Sequence, residues 1–436
     1  MSATLEATRI TAIPEALPDD LLEQIRAGAV ERELTRTLPF EAVAALDELG
    51  FGALRIPAEH GGGGLSIEQF ITQLIRLAAA DTNVAHLYRG HVGFVESLRF
   101  QAPAVRERWY RWILAGATIG NASTEIGGNA VGTLNTRLTR AEGAEGREGG
   151  WVLNGEKFYS TGTLYATHTR VSASREGEAG RCFAVVPTDA PGVRVVDDWD
   201  GFGQRLTGTG TTQLVDVAVA ADDVLERVRG THEAIHEASY FQLHLLAVQV
   251  GGAKAALRDT VETIRARTRT FNTAHGGLFR DDAQIQQVVG EQAAKLFAAE
   301  AAVLEVARIH DRTLAVGYEV GTWGERADAE AAAAGRSLAE VELPEHVRAE
   351  LLEAELATEK AQVLVPELCL AAVGDLFRTV GASAVARGKA LDRHWRNLQT
   401  VSTHNPAVFR ARSVGDHALN GTLPEGLNAI GEATRG

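Results

Sequence analysis

Side chains able to give, accept or hold protons crowd residues 392–406 (DRHWRNLQTVSTHNP), near the C-terminal end of this 436-residue chain. Two histidines, two arginines, an indole and two asparagines share that short stretch. Such groups are costly to bury without partners, so the stretch is either a solvated helix cap or the wall of a site. A second set, His86, Tyr88 and His91, lies in the apolar segment 83–94, where helical pitch puts Tyr88 and His91 on one face. A histidine in that setting is an ordinary satisfied core residue as readily as an acid–base group. No carboxylate stands four residues from either histidine to make a metal-ligand pair. Residues 120–128 (GNASTEIGG) and 157–163 (KFYSTGT) are rich in small polar side chains. They suit presentation of N–H groups and hydroxyls to a polar heterocycle or a phosphate, and they suit plain loops equally well. Residues 197–205 (DDWDGFGQR) set Trp199 in a Gly-rich turn, where an indole can cover a planar ligand or plug the end of a barrel.

Three kinds of sequence must position these groups. Residues 18–117 read as helical: Asp19 and Asp20 open one helix, a second runs from Phe40 toward Gly50, and Ser66 with Glu68 opens a third from Ile67 to Ala80. Gly61 to Gly64 separate the last two as a tight turn; without a following Gly-Lys-Ser/Thr, a phosphate loop is not indicated. Residues 118–230 change character. Short β-rich runs at 137–140, 151–153, 182–186, 193–196 and 212–217 alternate with turn signals at Asn154-Gly155 and at 189–192, which suggests a compact antiparallel barrel or sandwich. The hydrophilic run 142–150 reads as a hairpin tip. From 231 to 436 the chain is helical again. Phe241, Leu245, Val248, Gly252 and Ala255 form the stripe of a packed helix, and Gly251 with Gly252 would admit a close neighbour. Helical patterns follow at 283–312 and 344–376, the second kinked or split at Pro366. A connection at 317–342 lies between them, and a last helix runs from Ala384 into the 392–406 stretch.

Composition sets the outer bounds. With 45% hydrophobic and 23% charged residues the chain suits a globular protein of two or three domains. A net charge of -14 argues against nucleic-acid or anionic-membrane partners, which need clustered Lys and Arg. Cys182 and Cys369 stand far apart without metal-ligand spacing. No run approaches the length of a membrane span and no signal peptide is evident, so a cytoplasmic protein is expected.

Taken together, the helix–sheet–helix order and several phrases resemble the acyl-CoA dehydrogenase fold, an N-terminal helical domain, a central β domain and a C-terminal four-helix bundle, over about residues 18–424. Residues 57–62 (PAEHGG) are similar to that superfamily's helix-ending loop. GNASTE, GWVLNGEKFYSTG, VVDDWDGFGQR, DRHWRN with the following THNP, and LNGTLP resemble its reduced-flavin-dependent monooxygenase branch, the dibenzothiophene monooxygenases and sulfur-acquisition oxidoreductases. Dehydrogenases of this fold carry a glutamate base near their last helices, and residues 402–406 (STHNP) hold no carboxylate. The resemblance therefore implies a two-component monooxygenase. It would take FMNH2 from a separate NAD(P)H-dependent flavin reductase and use O2, through a C4a-peroxyflavin, to oxygenate a small organosulfur or other heteroatom or aromatic compound. It implies catalytic roles for His91, Thr161 and His404. Flavin contacts are implied for Asn121, Ser123, Ser160, Thr161, Trp199, Tyr240, Arg269 and Asn397, and assembly as a homotetramer. Ser383 and Val401 depart from the pattern, standing where several relatives have an arginine and a histidine. Ser383 leaves FAD open beside FMN. An acyl-CoA dehydrogenase or flavin oxidase with bound FAD, and a catalytically silent flavin-binding subunit, are the alternative readings.

Overall fold

A computed structural model describes residues 13–126, 134–141, 150–177, 181–226, 231–274, 277–319 and 344–424. Six helices come first: α1 (Asp19–Thr35), α2 (Phe40–Glu48), α3 (Ile67–Ala80), α4 (Thr82–Leu87), α5 (Arg89–Leu98) and α6 (Pro103–Leu114). The α3 start is built as its sequence suggests. Ser66 Oγ accepts from the Gln69 N–H at 3.1 Å while Gln69 Oε1 accepts from the Ser66 N–H at 2.8 Å, a reciprocal cap worth about 1 kcal/mol. Gly61 and Gly64, both at positive φ, make the preceding turn.

Eight strands follow: β1 (Ile119–Ala122), β2 (Arg137–Arg140), β3 (Trp151–Lys157), β4 (His168–Arg175), β5 (Cys182–Pro187), β6 (Val193–Val196), β7 (Thr211–Val219) and β8 (Val224–Glu226). They form one curled sheet in the order β6-β7-β3-β2-β4-β5-β8, with β1 also on β4. The expected all-antiparallel arrangement is not what forms. β1 pairs parallel with the first half of β4 and β2 parallel with its end, so β4 is the strand on which the sheet turns. Asn154-Gly155 is not a turn either. Both residues lie inside β3, at a register shift against β7. There Gly155 takes φ 156°, and a Cβ would collide with Thr136. The hairpin tip expected at 142–150 lies, except for Gly150, outside the described residues.

Among the described residues the C-terminal bundle has α7 (His232–Arg265), α8 (Ala283–Glu319) and α9 (Glu345–Val380), then α10 (Asp392–Ser402) and α11 (Ala407–Asn420). Pro366 neither splits nor ends α9, which is continuous through it. The helix expected from Ala384 is instead two short 3-10 turns, Ala382–Val385 and Arg387–Lys389, ahead of α10. The segment 320–342 lies outside the described residues. One apolar core runs from α3 (Phe70, Leu74) into α7 (Leu246, Val250), α8 (Val303) and α9 (Val365), all buried. Gly251 and Gly252 do admit neighbours, since a Cβ on the first would meet Ala78 and on the second Leu398 and Thr82. A second cluster, Phe94, Trp109, Ile119, Phe183 and Val185, fastens the N-terminal helices to the sheet. None of the described helices is long and apolar enough to cross a membrane.

Candidate active site

The three parts of the chain converge where α4 passes into α5. Gly90 lies so close to Asn121 of β1 that a Cβ would not fit, and Gly162, in the loop after β3, lies against the Leu87 carbonyl. On the bundle side, Arg89 of α5 meets both α7 and the turn beyond α10. Its Nε donates to the Phe241 carbonyl at 3.1 Å, its guanidinium covers the Phe241 ring at 4.6 Å, and its Nη1 donates to His404 Nε2 at 3.2 Å. The His404 turn is itself braced: Asn405 Nδ2 donates to Gln242 Oε1 at 2.8 Å, an atom that also accepts from Gln362 at 3.0 Å.

His404 is accessible, yet so much protein surrounds it that desolvation, followed by the positive charge of Arg89, holds its pKa well below that of free imidazole. The ring is neutral, accepts at Nε2 and keeps its proton on Nδ1. His86 is buried and neutral for the same reason, its pKa pushed down to about 4 by burial and then by Arg89. It donates from Nδ1 to Gln204 Oε1 at 3.1 Å and leaves Nε2 buried without a partner. His244 donates from Nε2 to the Ala85 carbonyl at 3.0 Å and leaves Nδ1 in the same state. Arg89 is thus a cation among neutral imidazoles.

The β domain supplies hydroxyls. Thr161 Oγ1 lies 2.8 Å from Thr209 Oγ1, which lies 2.6 Å from Thr207 Oγ1, and the Thr207 hydroxyl donates to the Gln204 carbonyl at 2.9 Å. Ser160 is fully buried and its Oγ has no partner. Ser123 Oγ donates to Asn121 Oδ1 at 3.2 Å, leaving the Asn121 amide nitrogen free of protein partners. Beside this loop Trp199 meets Tyr159 edge to face at 5.9 Å and donates from its indole to the Gly203 carbonyl at 3.1 Å. Asn121, Ser123, Ser160, Thr161, Trp199 and His404 therefore surround one junction.

The remaining expected site residues have settings of their own. His91 is buried with both ring nitrogens committed to backbone: Nδ1 accepts from the Ile119 N–H at 3.1 Å and Nε2 donates to the Gly52 carbonyl at 3.0 Å. It fastens α5 to β1 through both ring nitrogens. Tyr240 is fully buried in the bundle core, stacked on His236 at 5.9 Å. Arg269 is exposed beyond the end of α7. The 24 residues from Phe241 to Arg265 place that end about 36 Å along the helix, out of reach of a ligand at this junction within one chain. Asn397 is buried, and its side chain is used twice: Oδ1 accepts from the Gln204 N–H at 2.7 Å and Nδ2 donates to Thr82 Oγ1 at 3.1 Å. It holds the 199–210 loop against α4.

The 392–397 stretch proves to be a clamp. Asp259 on α7 accepts from Arg393 at 2.7 Å and from His394 at 2.8 Å. Arg396 pairs with buried Glu33 of α1 at 2.7 Å and donates to the Phe202 carbonyl at 2.7 Å. The cavity behind it, lined by Glu33, Asp81, Arg393, His394 and Asn397 among others, holds ≈ 20 Å³, room for a water molecule and no substrate. Arg89, by contrast, went unnoticed in the sequence. The one signal for it was a charged residue at the centre of an apolar segment.

Sequence models of the N-terminal, middle and C-terminal domains of acyl-CoA dehydrogenases match residues 13–117, 121–217 and 243–408. A dibenzothiophene monooxygenase of Rhodococcus erythropolis is 27% identical over 424 residues, 94% of each chain. A probable FMNH2-dependent monooxygenase, SfnC of Pseudomonas putida, is 25% identical over 413 residues, covering 94% of this chain and 95% of the relative. Among solved structures, FMN-bound TdsC from Paenibacillus sp. A11-2 superposes with a TM-score of 0.80 at 25% identity, over 94% of this chain and 97% of the other.

Proposed function

The chain belongs to the acyl-CoA dehydrogenase family, and we infer that it is an oxidoreductase of the oxygenating kind, an FMNH2-dependent monooxygenase acting on a small organosulfur or related heteroatom compound. Two relatives of nearly full-length coverage are named monooxygenases, one of them FMNH2-dependent. One observation at the junction carries the reading. Desaturation of a thioester begins with a carboxylate that removes the α-proton. In the turn where the resemblance puts that base stands His404, neutral and hydrogen-bonded to a guanidinium. Among the described residues the carboxylate that acts on Arg89, Glu237, is buried and paired with Arg170.

The residues present fit a flavin. The orphaned Ser160 hydroxyl, the Thr161 hydroxyl with a single partner and the free amide of Asn121 are polar groups gathered beside an aromatic pair, as a planar ring with a polar edge requires. Asn121, Ser123, Ser160 and Thr161 would hold that edge and Trp199 would flank it. When bound, reduced FMN supplies two electrons for the activation of O2, so that one oxygen atom enters the substrate and the other leaves as water. The chain's own part is to hold a hydrogen-bond donor, His404 Nδ1–H, and the Arg89 charge together at this junction. A separate NAD(P)H-dependent reductase would deliver the FMNH2, in keeping with the relative described as FMNH2-dependent. Exposed Phe297 on α8 and exposed Val408, Phe409 and Leu419 on α11 form apolar surface that favours self-association, consistent with a homotetramer. Light scattering tests the subunit count.

The deciding experiment adds a flavin reductase, NADH, FMN and O2 to the purified protein and screens sulfides, sulfones, amines and aromatics for oxygenated product. Product dependent on reduced FMN is the expected result. A yellow protein that keeps FAD through gel filtration and is bleached by an acyl-CoA would overturn the reading. So would a protein that changes neither the oxidation rate of FMNH2 nor any substrate, which would leave a silent flavin-binding subunit.

A further inference from the structure

The buried arginines among the described residues, Arg55, Arg170 and Arg393, have carboxylate partners, as does half-buried Arg32. Arg55 pairs with Glu96 at 2.6 Å, Arg32 with Asp81 at 2.8 Å, Arg393 with Asp259 at 2.7 Å, and Arg170 with Glu237. Arg89 does not. Among the described residues it touches only neutral groups: the Phe241 carbonyl and ring and the His404 imidazole. A guanidinium set among protein atoms without a contacting counter-charge is costly, and the carboxylate within electrostatic reach, Glu237, is already paired with Arg170. Its hydrogen bonds also leave a particular edge open. Nε is committed to Phe241 and one Nη1 hydrogen to His404, while Nη2 has no protein partner and is not sealed from solvent. The free Nη1–Nη2 edge is the fork that takes an oxyanion through two parallel hydrogen bonds. The unpaired ring nitrogens of His86 and His244 are nine-tenths or more buried within the electrostatic reach of this charge.

We propose that Arg89, braced by His404 and Phe241, is a monoanion subsite, and that the substrate carries a small oxo-acid head group, a carboxylate, sulfinate or sulfonate, which supplies the missing counter-charge. This rests on the oxygenation reading for what happens to the substrate and on Arg89 alone for how it is chosen.

The test uses two pairs of like-shaped, unreactive probes, methanesulfonate with dimethyl sulfone and benzoate with benzamide, titrated calorimetrically into the full chain loaded with oxidised FMN. The anion of each pair should bind at least about tenfold more tightly than its neutral partner. That preference should weaken in Arg89→Lys and fall to within about twofold in Arg89→Gln. Equal binding of anion and neutral probe by the unaltered protein would overturn the proposal, as would a preference that survives Arg89→Gln with its melting curve intact. Should Arg89→Gln fail to fold, the unaltered protein and Arg89→Lys still decide. The anion could instead be the reduced flavin ring. If Arg89→Gln loses affinity for FMNH2 but not for FMN while the probes bind as before, the charge serves the flavin and the subsite is refuted, with the monooxygenase reading untouched. Conversely, an Arg89-dependent anion preference in a protein that oxygenates nothing would sustain the subsite and sink that reading.

Discussion

Lowering the pH from 7 to 5 should cost this protein much of its stability, and the amount follows from its buried imidazoles. His86, His91 and His394 have pKa values pushed down to about 4 and His310 to about 3, with burial the largest cause in each. In the unfolded chain each returns to about 6.5. Well above that value both states are neutral and these groups add no pH dependence. Below it the unfolded state takes up protons that the folded state refuses, until the pH reaches the folded values. At pH 5 the difference is about 0.9 proton per histidine, or about 3.5 for the four. Asp47 acts in the opposite sense. Burial raises its carboxyl to about 7 against the Tyr88 hydrogen bond, so near pH 5 the folded state keeps about one proton that the unfolded state has released. The balance, about 2.6 protons, gives a slope of about 3.5 kcal/mol per pH unit near pH 5. Against a total stability of roughly 5–15 kcal/mol, the loss of about 8 kcal/mol accumulated between pH 7 and 4 removes half or more of it. Urea unfolding followed by tryptophan fluorescence should show a midpoint that changes little from pH 8 to 7 and then falls steeply. A midpoint constant to pH 5, or a slope below about 1 kcal/mol per unit, would refute the neutral-imidazole core. His310→Gln should lower the slope by about 1.3 kcal/mol per unit.

Three further outcomes are expected. His404→Ala should reduce product formation by about 100-fold while FMNH2 affinity, read by anaerobic titration, changes far less; equal loss in both would mark the histidine as structural. Gly203→Ala should displace the 199–210 loop, because a Cβ there collides with the Arg396 carbonyl and Thr400. Flavin binding by fluorescence quenching should weaken by at least about tenfold, with a lowered melting temperature. Asp259→Asn, which leaves Arg393 and His394 without their shared carboxylate, should cost about 3 kcal/mol in denaturant unfolding; a cost under about 0.5 kcal/mol would mean that the clamp is ornamental.

Local pattern made much of the fold legible. The capped start of α3, the Gly251–Gly252 approach on α7 and the change from helices to strands after α6 are short-range features. What was missed depends on distant partners. β4 escaped notice because it is buried on both faces over most of its length, so His168–Arg175 shows neither alternation nor an apolar run. Asn154-Gly155 carries the composition of a turn, and only pairing with β7 makes it a bulge. The charged 392–397 stretch looked like chemistry, yet its partners Asp259, Glu33 and Phe202 lie more than a hundred residues away and turn it into a clamp. His91 is the reverse case: its neighbours look apolar, and two backbone groups far along the chain consume both nitrogens. Arg89, whose meaning lies in the partner it lacks, has no local signature beyond its charge.

The junction has a consequence for how the protein is made. Its first imidazole, His86, and its last, His404, are separated by 318 residues. At about 5–20 residues per second, roughly 16–64 s pass on the ribosome between them. Phe241 of α7 follows His86 by 155 residues, so for about the first half of that interval α4 and α5 have no α7 to cover Leu87 and Val92, and for all of it Arg89 lacks His404. The nascent N-terminal third must therefore wait with apolar surface uncovered, and the chain needs protection from its neighbours early in synthesis more than at release.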